Sequence, residues 1–272
     1  MKQVERKQGL VERAGFRMLG WQIFVHSVRM VFGNLKQVLQ ITFGPALIAT
    51  VLIVLLFMAS GIPLEFFETD ANGLPPGITA GGVLLFIFGL FAVVLITMFW
   101  IAVSWHRFIL LEEYPRGIFP AFRFDRILAY LGRAILLGLL MGIAWIPAGF
   151  ILAGLVQSSP VLAIILMVAY AIFLFVCFYR LSIILPAAAI GQPITLGEAW
   201  NSTAGAAGAI LALIVVAFLF QLLVQLVFTA LAIIPVLGIL LSVFFGVLVL
   251  PMVSVSLFTT MYGVFIEKRE LA

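Results

Sequence analysis

From Ala204 to Ile266 the chain carries no charged residue. That stretch is too long for one bilayer crossing, since about 20 apolar residues span a hydrocarbon core of about 30 Å. It reads as two membrane spans, and the motif IIPVLG, with Pro235 and Gly238, is the natural break between them. The rest of the chain follows the same rule. Of its 272 residues 65% are hydrophobic and 10% charged, whereas a soluble domain carries about 25% charged residues. The solvent such a chain folds in is lipid.

The sequence predicts an all-α, polytopic membrane bundle. Its six transmembrane helices fall near Ile41–Gly61, Gly81–Val103, Leu128–Leu155, Val161–Leu185, Ala206–Leu231 and Leu237–Val264. Residues 1–40 form an N-terminal segment, 41–266 the membrane domain and 267–272 a short tail. Pro251 is expected to kink the sixth span or mark a packed bend. The first forty residues are polar and basic, and no cleavable secretory signal is expected there. With Cys177 alone, no internal disulfide forms.

Orientation follows from the 15 lysines and arginines. Lys2, Arg6, Lys7, Arg13, Arg17, Arg29 and Lys36 precede the first span. Arg107, Arg116, Arg123, Arg126 and Arg133 lie between the second and third, Arg180 ends the fourth, and Lys268 and Arg269 follow the sixth. Threading these spans puts every one on the same side. The opposite loops hold only Glu65, Glu68 and Asp70. Because cations are retained on the cytoplasmic side, both termini are expected in the cytoplasm of a bacterial inner membrane.

Each odd-numbered span has an amphipathic approach, and three elbow helices on the cytoplasmic side are predicted. Trp21, Phe24, Val25, Val28, Phe32, Leu35 and Leu39 recur at helical spacing ahead of the first span, as in a helix lying in the interface. Pro120 suits a helix start ahead of the third span, where Arg123, Arg126, Tyr130 and Arg133 fall along one stripe. Ahead of the fifth, Thr195 and Glu198 stand at capping-box spacing and Trp200 follows as an interface anchor. The pattern suggests three helical hairpins in a pseudo-symmetric bundle.

Two of these stretches carry a resemblance. RLSIILPAAAIGQPITLGEAWNSTAGAAGAIL, with Arg180, Pro186, Gly191, Glu198, Ala199, Trp200 and Thr203, resembles the elbow of a group of bacterial six-helix membrane proteins. That group includes the membrane domain attached to some glycerophosphodiester phosphodiesterases. VHSVRMVFGNLKQVLQITFGPALI resembles their N-terminal elbow. The chemistry of those phosphodiesterases sits in a separate soluble barrel. The resemblance therefore implies a membrane scaffold and not the enzymatic activity.

Candidate chemistry is sparse. Arg107, Arg123, Arg126, Arg133 and Arg180 are candidate contacts to lipid or phosphate, since guanidinium meets phosphate oxygens bidentately. His106, Glu112 and Glu113 supply types used in metal or acid–base sites, but they form no recognised motif, and a charged interfacial turn is the simpler reading. Gln221 and Gln225, at i and i+4 in the fifth span, need a face turned inward or toward a partner. Ser254, Ser256, Thr259 and Thr260 are the expected partners in the sixth span. Ala134, Gly138 and Gly142 form a small-residue packing stripe, and Ala204, Gly205, Gly208 and Ala209 a second. No catalytic set, metal cluster or cofactor loop is expected, and no nucleic-acid partner.

The reading favoured by these features is a non-enzymatic integral membrane protein. It would organise anionic lipid, a membrane-protein partner or further copies of itself through its basic face. A transporter or lipid-handling permease with a polar path near Gln221 and Gln225 is the main alternative. An enzyme acting on phospholipid head groups is another.

Overall fold

The computed structural model describes residues 2–62, 79–234 and 236–271, with side chains described from residue 18 onward except at 151. Glu65, Glu68, Asp70 and Pro235 and the side chains of Lys2, Arg6, Lys7, Arg13 and Arg17 lie outside the described residues. Among the described residues every regular element is helical. In chain order these are α1 (Lys2–Gly33), α2 (Leu35–Ser60), α3 (Ala80–Leu111), α4 (Phe124–Leu155), α5 (Pro160–Ser182), α6 (Ile184–Ile190), α7 (Leu196–Ser202), α8 (Ala207–Leu231), α9 (Leu237–Val243) and α10 (Leu250–Phe265). A π-helical turn, Phe244–Val249, joins α9 to α10.

Six helices are long and apolar enough to cross a membrane: α2, α3, α4, α5 with α6, α8, and α9 running through the π turn into α10. The expected spans are all present. Several start or end a turn or two outside their expected limits, because helix continues past the apolar stretch into polar sequence. A π turn stands just before Pro251, where a kink or packed bend is expected. Proline has no N–H to donate to the preceding turn, and the wider turn absorbs the break.

Packing is concentrated at one end of the bundle. The buried residues of α3 are confined to Trp100–Leu110, those of α8 to Ala209, Ile210 and Leu213, and those of α10 to Met252–Phe265. All of α6 is buried. The outer half of α5 is exposed at Val161, Ile164 and Ile165, and that of α4 at Ile143, Ile146 and Phe150. An exposed apolar surface of this extent is compatible only with a lipid solvent.

The first two hairpins form as expected, with α2 against α3 and α4 against α5. The third is opened, because α1 packs on both α8 and α10. Helix α1 is thus part of the bundle and not a helix lying outside it. Ile23, Ser27 and Val31 are fully buried, and Phe24 meets the ring of Phe220 edge-on at 5.4 Å instead of dipping into lipid. Gly20 permits the approach to α8: a Cβ there would stand 2.2 Å from the Ala209 carbonyl oxygen. The expected small-residue surface at the start of α8 is therefore in use at Ala209, with α1 as its partner. Ser27 ties the other side, donating to the Ile23 carbonyl at 2.8 Å and lying 2.8 Å from Thr260 Oγ1 on α10.

The helix expected to start at Pro120 starts at Phe124. Residues 112–123 are irregular, and α4 begins at Phe124 and runs directly into the span. Pro115 and Pro120 interrupt helical hydrogen bonding, and Gly117 takes a left-handed conformation (φ 77°). The stretch before α8 does contain a short helix, α7, with the capping box intact: Glu198 N–H donates to Thr195 Oγ1 at 3.1 Å and Thr195 N–H to the Glu198 carboxylate at 2.6 Å.

Of the small-residue stripe of α4, Ala134 packs against the core, whereas Gly138 and Gly142 meet nothing among the described residues. Gly138 and Gly142 face open space, because Tyr130, Leu137 and Met141 form the inward face.

Gly20→Ala is expected to lower the thermal unfolding midpoint in detergent, at a cost of about 1–3 kcal/mol for overpacking a helix contact. Gly33→Ala, where a Cβ meets nothing within 4 Å, is expected to leave it unchanged or raised. Equal midpoints for the two variants would contradict the α1–α8 contact.

Candidate functional site

The charged sequence between α3 and α4 folds back on the bundle and encloses a cavity of about 700 Å³. Its lining includes Ile41 of α2, Ser104 and Arg107 of α3, and Glu112, Glu113, Tyr114, Arg116, Phe119 and Arg123 of the connection. Three local features build it. Helix α3 ends at Glu112, which takes a left-handed conformation (φ 54°) and donates its N–H to the Arg107 carbonyl. That cap is normally filled by glycine or asparagine, and it reverses the chain. Gly44 on α2 then lets the connection lie close: a Cβ there would stand 2.0 Å from the Ile118 carbonyl oxygen. Ring contacts hold the strand of chain at both ends, Tyr114 on Phe108 at 5.3 Å and Phe122 on Trp100 at 5.0 Å.

At the centre of this arrangement one carboxylate holds two arginines. Arg107 donates from Nε to Glu113 Oε2 at 2.8 Å, and its Nη2 stands 2.7 Å from the same oxygen as an ion pair. Arg123 donates from Nε and Nη2 to Oε1 at 3.0 and 2.7 Å. Arg107 is also anchored from Nη1 to the Ala189 carbonyl of α6 at 3.2 Å. Partial burial works to raise the Glu113 pKa, but the hydrogen bonds and charges of Arg123 and Arg107 outweigh it and hold the carboxyl below its ordinary value. Arg116 is exposed and makes no hydrogen bond or ion pair among the described residues. Ser104 Oγ is buried and has no partner.

The other arginine candidates do not converge here. Arg126 pairs with Asp125 at 2.9 Å and lies against Gly191, where a Cβ would meet its guanidinium at 2.6 Å. Arg180 clasps α7: Nη2 donates to the Trp200 carbonyl at 2.7 Å, Nε donates to Thr203 Oγ1 at 3.0 Å, and the guanidinium stacks 3.5 Å over the Trp200 ring. Arg133 is half-buried on α4 with no partner among the described residues. Trp200 therefore serves as the platform for Arg180.

His106 does not line the cavity that Glu112 and Glu113 line. It is fully buried in α3, with Nδ1 2.8 Å from Thr259 Oγ1 and Nε2 3.5 Å from the Tyr130 hydroxyl. The turn expected at His106 is thus a core contact among α3, α4 and α10. No group of three metal-ligating side chains occurs among the described residues. Gln221 and Gln225 are exposed on the outside of α8, while Thr259 and Thr260 of α10 are engaged with His106 and Ser27.

Arg116 and Ser104 are the site residues that the sequence did not single out. Arg116 stands between Pro115 and Gly117, a turn signal that marks it as displayed and not paired. Nothing in the sequence marks Ser104. No family model, curated protein or solved structure matches the chain at a significant level.

Two outcomes follow from this geometry. A carboxylate whose folded pKa is depressed contributes stability above its ordinary pKa and loses it as pH falls through the folded value. Wild-type unfolding midpoints should therefore decline as pH drops below about 4.5, and Glu113→Gln should show a shallower decline from a lower starting value. Parallel pH profiles would contradict the clamp. Thr259→Val should destabilise the bundle by about 1 kcal/mol by leaving His106 Nδ1 without its hydroxyl partner, read from detergent unfolding.

Proposed function

We propose that this chain is a non-enzymatic, multi-pass protein of a bacterial inner membrane that organises anionic lipid, or a membrane complex assembled on it, through one basic face. The observation that carries this reading is the convergence of cations at a single end of the bundle. Arg107 of α3 reaches Ala189 of α6, Arg269 reaches the Leu110 carbonyl, and Ser27, two residues from Arg29, meets Thr260 of α10. The chain ends bearing Arg29, Arg107, Arg180, Lys268 and Arg269 are thus neighbours. Each cation near an anionic bilayer surface contributes about 1 kcal/mol of attraction. Positive charge is retained on the cytoplasmic side, so this end and both termini face the cytoplasm.

The resemblance of residues 180–211 and 25–48 to six-helix bacterial membrane proteins supports a scaffold role. The exposure of Gln221 and Gln225 on the outside of α8 gives no support to a polar path through the bundle. The separation of His106 from the Glu112–Glu113 cavity gives none to acid–base chemistry on head groups.

Two measurements test the reading. In a Cys177→Ala background, Lys268→Cys should react with a membrane-impermeant maleimide only after the inner membrane is opened. The full chain extracted in mild detergent should carry anionic phospholipid above its share of the bulk membrane. Labelling of intact cells, or co-purified lipid of bulk composition, would overturn it.

A further inference from the structure

We infer that the cavity between α2, α3 and residues 112–123 is a built binding site for a single phosphate ester group, which its surroundings match best as the headgroup of a lipid. The inference rests on the proposed lipid-organising role and names the place and chemistry of one contact within it.

The donors are arranged for an anion with several oxygens. Glu113 occupies the Nε–Nη2 edge of Arg123, whose side chain is still 44% exposed. Its Nη1 edge therefore stays available at the cavity wall. Arg116 on the same wall has all its donors free among the described residues. A phosphodiester has two non-bridging oxygens and can take one guanidinium on each. Ser104 of α3 also lines the cavity, with its Oγ buried beneath the surface and without a partner.

The remaining wall carries the Glu112 carboxylate and the apolar side chains of Ile41, Tyr114, Pro115 and Phe119. It adjoins the outward face of α2, where Phe43 and Leu47 are exposed on either side of the Gly44 contact. A cationic pocket opening beside an apolar helix face suits a molecule with a phosphate at one end and hydrocarbon at the other.

Glu113 is the positioning residue. It adds a negative charge next to the site, yet it fixes Arg123 through two hydrogen bonds and is itself fixed by Arg107. General charge attraction and a built site therefore predict opposite signs for its neutralisation. Removing a carboxylate raises attraction for any anion, whereas it lowers binding at a site that depends on the orientation of Arg123.

The full chain is reconstituted in nanodiscs of phosphatidylglycerol and phosphatidylcholine, and retained lipid is counted by native mass spectrometry after detergent release. Glu113→Gln and Arg116→Gln are each expected to reduce retained phosphatidylglycerol about tenfold. Arg29→Gln, the same charge change on α1 and away from the cavity, removes general attraction alone and is expected to lower it less than Arg116→Gln does. Arg116 is exposed and makes no hydrogen bond or ion pair among the described residues, so its variant reports on binding more than on folding. Retention by Glu113→Gln equal to or above wild type, or by Arg116→Gln equal to wild type, overturns the site. Wild-type retention that inorganic phosphate abolishes assigns the site to a free phosphate ester, and retention that survives it assigns the site to the lipid. Absence of any phosphatidylglycerol enrichment in wild type defeats the lipid-organising role itself, whereas enrichment that neither variant lowers defeats only this site.

Discussion

Hydrocarbon solvates neither a guanidinium nor an unpaired peptide group, and the structure is arranged around that fact. Charges are confined to the ends and connections of the apolar helices, and the described cations gather at one end. Their long side chains then need partners or water within a small area. Arg107 and Arg123 share Glu113, Arg126 lies on Asp125 and Gly191, and Arg180 lies on Trp200. These contacts join α3 to α6, α3 to the start of α4, and α5 to α7. The crowding of cations at one face is thereby converted into cross-links that fix the helix ends.

The same constraint explains why the core sits where it does. Lipid tails are as apolar as leucine, so burying leucine against leucine gives helices in a bilayer little reason to associate. Close contact and hydrogen bonds must do it. The close approaches Gly20 on Ala209 and Gly44 on Ile118 lie at the basic end. So do the hydroxyl contacts Ser27 with Thr260 and His106 with Thr259. Toward the other end, α4 and α5 present isoleucine, valine and phenylalanine outward. Those halves are joined to each other where the Tyr170 hydroxyl donates to the Ala144 carbonyl and its ring meets Trp145, and their outward faces are left to lipid.

How much of this was legible depends on which physical rule sets each feature. Span number follows from apolar length, and charge placement from solvation; both are written locally in the sequence, and both were readable. So was the α7 capping box, whose partners are three residues apart. Helix–helix contacts are not local. The periodicity of Trp21, Phe24 and Val28 indicated an amphipathic α1, but an apolar face reads the same whether it meets lipid or another helix. Only the structure shows Phe24 on Phe220. Small residues such as Gly138 and Gly142 permit a contact within the bundle or between copies, and among the described residues of this chain no helix approaches them. His106 was read with its charged neighbours, yet one helical step separates Arg107, beside the cavity, from His106, in the core.

The connection between α3 and α4 shows how a site arises where regular structure is broken. Pro115, Gly117 and Pro120 prevent the helix that the flanking arginines would otherwise extend, and the left-handed cap at Glu112 turns the chain back. Had the helix continued, Glu113 would lie six residues on from Arg107, on a different face, and Arg123 would be more than two turns further along the same axis. Reversal brings all three to one point. Once Glu113 has neutralised one edge of each guanidinium, the positive charge left at the cavity wall, beside the Glu112 carboxylate, belongs to Arg123 and Arg116. Of the arginines named from charge alone, Arg107, Arg126 and Arg180 hold the fold, Arg133 has no partner among the described residues, and Arg123, with Arg116, remains available to an anion.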